Sequence, residues 1–248
     1  MDSKISFMTF ASSNWTAAPA RFKRDLRVIR DKFGFFDREF VLDERDLGAG
    51  YLDRFSRYAG DHGYAYWSWK PYAIAQTLRA LDPDEWLLYL DAGCVLPMGR
   101  LDAFLGELRT VVGRAHTSGS LLTLTTCGTK LRHVPDGYIV RRSIAEAFGL
   151  QDDKTFLFKF PHWQAGLILA RNNYDTLSFF DRWYAFFLDN YESRIRGGFR
   201  DRRGEMPGWR HNGGDQAVMQ CMIYKDGVPV DDGLNFMYHY GVVARRRG

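Results

Sequence analysis

The clearest secondary-structure pattern in the chain is an apolar run at residues 86–90, Trp-Leu-Leu-Tyr-Leu, which ends at Asp91. Five apolar residues in a row predict a strand that is buried on both faces, as in the middle of a parallel sheet covered by helices. Asp91 then lies at the carboxyl end of that strand, where open α/β sheets bind their ligands. Gly93 follows, and its missing side chain lets a ligand or another backbone segment approach closely. We therefore expect the chemistry of the protein at this point.

Strands and helices alternate before and after this run. Residues 5–11 and 40–42 predict two strands, whereas apolar residues at helical spacing predict helices over 21–32 and 101–112. This alternation is typical of an α/β protein with a Rossmann-like, mostly parallel central sheet flanked by helices. No Gly-x-Gly-x-x-Gly follows the first strand, which disfavours an enzyme that uses a nicotinamide or flavin cofactor.

Pro71 predicts the start of a further helix, because a proline at the first helical position loses no hydrogen bond and its φ is already helical. Lys70 would therefore project from the amino end of that helix. A cation and exposed backbone N–H groups together form an anion site. For the neighbouring Trp67 and Trp69 we favour packing under the loop over stacking on a ligand.

The second half of the chain combines apolar segments with one stretch rich in Gly and Arg. Residues 177–191 carry an aromatic stripe at helical spacing, which predicts a core helix. Residues 194–210 show no periodicity, so we predict a mobile loop that orders over a bound ligand. Asp215 follows, and we expect its side chain to cap the helix that begins there.

The composition fits one domain that spans residues 1–248. Hydrophobic residues make up 46% of the 248 residues, the formal net charge is +4 and the pI is about 8.9. Six arginines crowd residues 194–210, and three more lie at 245–247. Such clusters are most often solvated surface. The sharper alternative is an anionic partner: a donor diphosphate, a lipid-linked acceptor or a membrane surface.

The cysteines are few and far apart. Cys94, Cys127 and Cys221 form neither a disulfide framework nor a Cys-x-x-Cys metal motif, which favours a reducing compartment. No apolar stretch has the length of a signal peptide or a membrane span. We expect a cytoplasmic protein, with peripheral contact to the inner face of a membrane through the Arg-rich loop and the C-terminus.

Residues 89–93, Tyr-Leu-Asp-Ala-Gly, resemble the central strand and Asp-x-Asp signature of GT-A glycosyltransferases, most closely the family 8 type. The resemblance implies a divalent metal, manganese or magnesium, held under a donor diphosphate by two aspartates. Asp91 occupies the first position, but the second is Gly93, so the resemblance supports the fold more strongly than the metal. His239 lies in a segment that resembles the one carrying a metal-binding histidine in that family, and it is the second candidate ligand. An isolated Asp-x-Gly is otherwise a common turn.

Further short matches follow along the chain, in the same order as the corresponding motifs in that family. Residues 162–170 resemble the polar-Ala-Gly-apolar strand beside the donor sugar, with Gln164 at a position usually given to Asn, so we expect a strand here. Residues 215–216, Asp-Gln, resemble the pair that opens a helix near the reaction centre. The catalytic residues that the resemblance implies are Asp91, Gln164, Asp215 and Gln216. We expect Thr9, Ser12, Lys70, Asp91 and Gly93 to bind the donor, with Lys70 as a contact to the diphosphate or the donor sugar.

Together these features predict a glycosyltransferase in glycan or polysaccharide biosynthesis. It would move a sugar from a nucleotide-sugar donor, UDP-linked by resemblance, to a hydroxyl of a saccharide, a lipid-linked glycan or a protein. A sugar nucleotidyltransferase is the first alternative, but residues 7–13 lack the Gly-rich loop that it would need. A nucleic-acid-binding protein is the second. Its cations should line one face between aromatic residues, whereas the arginines here cluster in one segment, so we expect no nucleic-acid partner.

Overall fold

A computed structural model describes residues 3–124, 139–206 and 208–242, and its described part contains one six-stranded sheet. The strands are β1 (Ile5–Phe10), β2 (Glu39–Leu42), β3 (Trp86–Asp91), β4 (Leu122–Thr123), β5 (Leu167–Arg171) and β6 (Val230–Asp231). The strands predicted at 5–11, 40–42 and 86–90 are found with small shifts. The strand predicted over 162–170 begins only at Leu167, because the five residues before it form an extended connection and a turn.

Helices cover both faces of this sheet. They are α1 (Ala17–Phe33), α2 (Ala49–Phe55), α3 (Trp69–Arg79), α4 (Leu101–Ser118), α5 (Arg142–Phe148), α6 (Lys154–Lys159), α7 (Tyr174–Asn190), α8 (Asp215–Asp226) and α9 (Phe236–His239). A π-helical turn, Tyr191–Ile195, follows α7. Helix α3 begins two residues before Pro71, which still lies in the first turn, where a missing N–H costs no hydrogen bond.

The strand order is β2-β1-β3-β5-β4-β6. Strand β1 pairs in parallel with β2 and β3, and β4 pairs in parallel with β6, whereas β5 runs antiparallel to both of its neighbours. The predicted α/β class with a mostly parallel sheet is confirmed. The direction of β5 was not predicted, because an apolar run such as Leu-Ile-Leu-Ala has the same pattern in either direction.

Alternating side chains of the central strands supply two hydrophobic clusters. Phe7 and Leu88 pack on one face with α1 and α4. Met8 and Tyr89 pack on the other face with α3, α7 and α8. The continuous apolar run at 86–90 is explained by this arrangement, since both faces of β3 are covered by helices.

The strand register brings three chain segments to one edge of the sheet. Phe10 is paired with Asp91, so β1 and β3 end at the same level. Leu90 is paired with Leu167, so the antiparallel β5 begins where β3 ends. The N–H of Asp91 donates to the carbonyl of Gly166 at 2.9 Å. Residues after β1, after β3 and before β5 therefore surround this edge.

The segment at 194–210 forms no helix or strand in its described residues beyond the π-helical turn. It is anchored at several points: the Tyr66 hydroxyl donates to the carbonyl of Gly197, and Arg141 Nε donates to Glu205 Oε1 at 2.8 Å. The predicted mobility of this loop stays a prediction. Pro207, Cys127 and the arginines at 245–247 lie outside the described residues. Among the helices of the described ranges, none has the length and apolarity needed to cross a membrane.

Candidate active site

A buried lysine ties three parts of the sheet edge together. Lys70 lies in the first turn of α3 and is only 2% exposed. Its Nζ lies 3.1 Å from Asp91 Oδ1 and 2.5 Å from Asp215 Oδ2, and it donates to the carbonyl of Ala165 at 3.1 Å. These three acceptors match the three N–H bonds of an ammonium group. Lys70 therefore joins the end of β3, the start of α8 and the segment before β5.

The chain enters α3 through an unusual backbone turn. Residues 63–67 all have φ between 49° and 66°, and four of these five residues are not glycine. A left-handed conformation costs a non-glycine residue roughly 1–2 kcal/mol, so tertiary contacts must hold the turn. The Trp67 ring fills the space beside Gly63, where a Cβ would lie 2.4 Å from the ring. The N–H of Lys70 donates to the carbonyl of Trp67 at 2.9 Å, which fixes the start of α3 directly after the turn.

Neighbouring tryptophans take packing roles, as the sequence favoured. Trp69 is buried and stacks on Phe10 with ring centroids 3.9 Å apart, and its Nε1 donates to the carbonyl of Gly63 at 3.2 Å. Trp67 is half-buried. Both rings therefore help to hold the turn that precedes Lys70.

Asp91 projects from the same face of β3 as Tyr89, two residues earlier, because side chains alternate along a strand. The Tyr89 hydroxyl donates to Asp91 Oδ1 at 2.5 Å, so this oxygen accepts hydrogen from both Tyr89 and Lys70. The Asp91 side chain is nevertheless 32% exposed. A Cβ on Gly166 would lie 2.7 Å from Asp91 Oδ2, so glycine at that position leaves room for the carboxylate. Asp91 is thus a partly exposed carboxylate whose Oδ1 is held by Lys70 and Tyr89 and whose Oδ2 lies beside Gly166.

The turn after Asp91 is held from α1. Arg21 Nη2 donates to the carbonyls of Ala92 and Cys94, both at 2.6 Å. Gly93 lies between these two residues and is buried. This arginine therefore fixes the turn in which the sequence resemblance expected a second aspartate.

Helix α8 begins at Asp215, and Gly214 occupies the N-cap position. The prediction that the Asp215 side chain caps the helix is therefore wrong, because that carboxylate is directed at Lys70 instead. Gly214 has φ +51°, and a Cβ there would lie 2.7 Å from the carbonyl oxygen of Tyr66. The left-handed turn and the start of α8 thus pack closely enough to exclude any larger residue. The next residue, Gln216, places its Nε2 2.9 Å from His162 Nε2.

The charges of this cluster are unevenly solvated. Burial lowers the pKa of Lys70, but the attraction of Asp215 and Asp91 outweighs it and raises the pKa above its usual value. Burial raises the pKa of Asp215 to about 6, against the opposing attraction of Lys70 and with a further increase from Asp91. One ammonium is shared by two carboxylates, so the fully buried carboxylate is the one that takes up a proton more readily. Burial, and then Asp91, raise the pKa of Tyr89 well above its usual value, which keeps this hydroxyl a donor.

The other predicted site residues differ in where the structure places them. Ser12 is half-buried in the connection after β1, and Gln164 is half-buried two residues before Gly166, so both lie at the Asp91 edge. Thr9 is fully buried and, like Phe7, points to the opposite face of the sheet. Its hydroxyl has no hydrogen-bond partner among the described residues. The structure therefore does not support a direct contact between Thr9 and a donor.

The residues around Asp91 do not fit a resident divalent metal. Oδ1 of Asp91 and Oδ2 of Asp215 are already engaged by Lys70, and Gly93 offers no side chain. His239 is exposed at the end of α9, where its carbonyl accepts from Arg100 Nη2. In the part of the chain that the structure describes, no group of three or more His, Cys, Asp or Glu side chains could hold an ion. Asp91 and His239 supply one hard oxygen and one imidazole, which is too few ligands for Mg²⁺ or Mn²⁺.

Three contributors to the site were not predicted from the sequence. Tyr89 could have been found, because alternation places it on the same face as Asp91. Arg21 and His162 carry no such signal, since their partners lie far away along the chain. The arginines at 194–210 are less available than their number suggests. Arg194 donates to Ser143, and Arg196 and Arg203 pair with nearby aspartates.

The sequence matches no family model and no curated protein. Solved structures do resemble the fold. The apo structure of the bifunctional glycosyltransferase WbbM matches 93% of this chain at 12% identity, with a TM-score of 0.47. The galactosyltransferase LgtC, in complex with donor and acceptor sugar analogues, matches 92% at 12% identity and a TM-score of 0.42. The apo form of mouse xyloside xylosyltransferase 1 matches 92% at 11% identity and a TM-score of 0.42.

This chain spans 39% of the WbbM chain, 72% of the LgtC chain and 84% of the mouse chain. All three proteins are glycosyltransferases, the class that the sequence predicts. Identities of 11–12% and TM-scores below 0.5 mark a distant similarity.

Proposed function

We propose that residues 1–248 act as one GT-A-type glycosyltransferase domain that transfers a sugar from a nucleotide diphosphate donor, UDP-linked in the first instance, to a hydroxyl acceptor. The observation that carries the proposal is the cluster of Lys70, Asp91 and Asp215 at the ligand-binding edge of the sheet. A buried lysine shared by two carboxylates adds little to stability when it is compared with apolar packing. Such a cluster is more readily explained by a ligand that needs fixed, charged oxygens.

The cluster fits recognition of a sugar. Sugar hydroxyls donate hydrogen bonds to carboxylates, and charge-assisted bonds of this kind are strong. The Asp91 side chain is 32% exposed, while Lys70 and Tyr89 hold its Oδ1 in place, and we assign its Oδ2 to a sugar hydroxyl. We assign the half-buried amide of Gln164 to a further sugar hydroxyl, and Asp215 and Gln216 to the vicinity of the anomeric carbon. In this arrangement Lys70 acts on the donor through the two carboxylates that it fixes.

The diphosphate needs positive charge, because charge stabilisation on the leaving group is usually the largest catalytic contribution. We assign this task to the arginines of the loop at 194–210. The loop is joined through Gly197 to Tyr66, in the left-handed turn that precedes Lys70. Closing such a loop over the donor would exclude water and strengthen the charge contacts. We assign no step to a metal. The acceptor is a saccharide, a lipid-linked glycan or a protein, and the cysteine spacing supports a cytoplasmic location.

The test is a panel of UDP, GDP, CMP and their sugars, measured by thermal shift and calorimetry with the wild-type chain. A ligand at 100 times its Kd should stabilise the fold by about 2.7 kcal/mol. Asp91→Asn should weaken the response, whereas Asp53→Asn, a change of an exposed carboxylate on α2, should not. Turnover is measured as release of free nucleotide diphosphate with and without acceptor sugars. No response to any member of the panel contradicts the proposed function. An equal response of wild type and Asp91→Asn contradicts only the position of the site.

A further inference from the structure

His162 makes a specific contact with one residue of the proposed reaction centre. It lies in the segment before β5 and is 7% exposed. Its Nε2 lies 2.9 Å from Nε2 of Gln216, the second residue of α8. The preceding residue of that helix, Asp215, is the partner of Lys70. The contact therefore reaches from the connection that carries Gln164 and Gly166 to the start of α8.

In the structure the amide nitrogen of Gln216 faces His162 Nε2. Because an amide nitrogen can only donate, His162 Nε2 accepts in this arrangement and is unprotonated. The proton of the neutral imidazole then resides on Nδ1. In the planar amide of Gln216, the nitrogen and the oxygen lie on opposite sides of the same carbon. The hydrogen bond to His162 therefore directs Oε1 of Gln216 away from the imidazole.

We propose that His162 is a positioning residue that holds the Gln216 amide in one of its two orientations, so that its carbonyl oxygen is presented to the anomeric carbon of the donor. This inference rests on the proposed function, which places Gln216 at the reaction centre. Positive charge develops on the anomeric carbon when a glycosidic bond breaks through an oxocarbenium-like transition state. A fixed carbonyl dipole with its oxygen toward that carbon stabilises the charge, whereas a flipped amide would present N–H groups and repel it.

The chain contains a matched control for a purely structural role. Gln220 lies one turn further along α8, is fully buried and donates from Nε2 to the carbonyl of Trp163 at 2.8 Å. Trp163 is the neighbour of His162. Gln220 therefore joins the same helix to the same segment, but it contacts a backbone carbonyl and no side chain of the proposed site. If the His162 contact served only to stabilise the fold, its removal should have the same effects as removal of the Gln220 contact.

The kinetic experiment compares His162→Leu, His162→Gln and Gln220→Leu with the wild type. His162→Leu removes the acceptor and should lower kcat roughly 10- to 100-fold, with the KM for the donor within about twofold of wild type, because the interaction acts in the transition state. His162→Gln should restore most of kcat, since its carbonyl oxygen can accept from Gln216 Nε2. Gln220→Leu should lower the melting temperature and leave kcat unchanged. The inference is overturned by an unchanged kcat in His162→Leu, by an equal loss in Gln220→Leu or by failure of His162→Gln to restore activity.

A spectroscopic measurement decides the orientation without turnover. The wild-type chain is labelled with ¹⁵N-histidine, and the His162 signals are identified by their loss in His162→Gln. We expect the Nδ1-protonated tautomer of His162, with an unprotonated Nε2 coupled to the Gln216 amide. An Nε2-protonated tautomer would require the amide to be reversed and overturns the inference, even for an enzyme that turns over donors. If no donor is turned over, the proposed function fails, and with it the catalytic purpose of the orientation.

Discussion

Lys70 and Asp215 form a buried ion pair, with Nζ 2.5 Å from Oδ2, between helices that begin far apart in the sequence. Asp91 shares the same ammonium at 3.1 Å, so one cation faces two carboxylates. The three side chains belong to α3, β3 and α8, and Lys70 also binds the segment before β5 through Ala165. The cluster therefore holds these elements together at the carboxyl end of β3 and places charged side chains there.

Removal of the lysine should destabilise the fold strongly. Lys70→Met keeps most of the side-chain volume but leaves Asp215 and Asp91 without their shared cation, and breaking a buried pair in this way costs about 3–5 kcal/mol. The free energy of unfolding, measured with urea at pH 7.5, checks this. Lys4→Met is the matched control, because Lys4 pairs with Asp82 at 2.7 Å but both side chains are at least half exposed. That change should cost no more than about 1 kcal/mol. Similar losses in the two variants would show that the fold tolerates Asp215 and Asp91 without their shared cation, and would contradict the prediction.

Asp215 should make the stability of the fold depend on pH in the direction opposite to most carboxylates. Its folded pKa of about 6 lies above the ordinary value of 3.8, so folding takes up a proton between these values. Its stabilising contribution is therefore present below pH 3.8 and is lost as pH rises through about 6. The stability of wild type relative to Asp215→Asn should fall by up to about 3 kcal/mol from pH 4 to pH 8, since each pKa unit corresponds to about 1.36 kcal/mol. Urea unfolding of both chains across this range is the measurement, and a difference that stays constant with pH would contradict it.

The parts of this site that depend on local sequence pattern could be predicted from the sequence. The apolar run before Asp91 predicted a buried strand correctly, because burial on both faces requires continuous apolar residues. The binding of a ligand at the end of this strand stays a prediction. The neighbouring Pro71 correctly predicted that Lys70 lies at the start of a helix. Its burial between Asp91 and Asp215 could not be predicted, since it depends on packing between elements that are distant in sequence. Thr9 is buried on the face of the sheet opposite to Asp91, because side chains alternate along β1, and this face could not be assigned without knowing how the sheet packs.

The left-handed turn at 63–67 is a second feature that could not be predicted from the sequence. Glycine adopts a positive φ readily, but Tyr64, Ala65 and the two residues after them do so only under tertiary constraint. Nothing in their side chains predicts the turn. Strained backbone of this kind tends to occur at functional sites, and here it delivers Lys70 to the carboxylates.

Gly166 should be required for the position of Asp91. A Cβ at residue 166 would lie 2.7 Å from Asp91 Oδ2, so Gly166→Ala should push that carboxylate out of place. We expect a destabilisation of about 1–3 kcal/mol, as for other overpacked sites, together with loss of the calorimetric response to nucleotide sugars. Gly106→Ala in α4 is the control, because no atom lies within 4 Å of a Cβ built there. It should stabilise the chain by about 0.5–1 kcal/mol and leave ligand binding intact. Normal donor binding by Gly166→Ala would show that Oδ2 of Asp91 does not contact the donor.

The divalent metal that the sequence resemblance implied should bind only together with a nucleotide. The described residues place no second carboxylate oxygen within the Asp91 turn, and Lys70 already occupies the space between Asp91 and Asp215. Manganese alone should therefore give no binding heat in calorimetry. Oxygen atoms of a bound diphosphate can complete a shell for a hard cation, so UDP and manganese added together should bind more tightly than UDP alone. Asp91→Asn should remove this gain, and His239→Ala should reduce it if the exposed imidazole is the second ligand.

The wild type and both variants are titrated with manganese, with UDP and with the two together. Asp53→Asn in α2, an exposed change that lies outside the site, is the control for nonspecific loss of an acidic side chain. Tight binding of manganese without nucleotide would contradict a site in which Asp91 and His239 are the only protein ligands. Equal UDP affinity with and without manganese would show that the nucleotide recruits no metal. The whole diphosphate charge would then rest on the arginines at 194–210, because Lys70 is already neutralised by the two carboxylates that flank it.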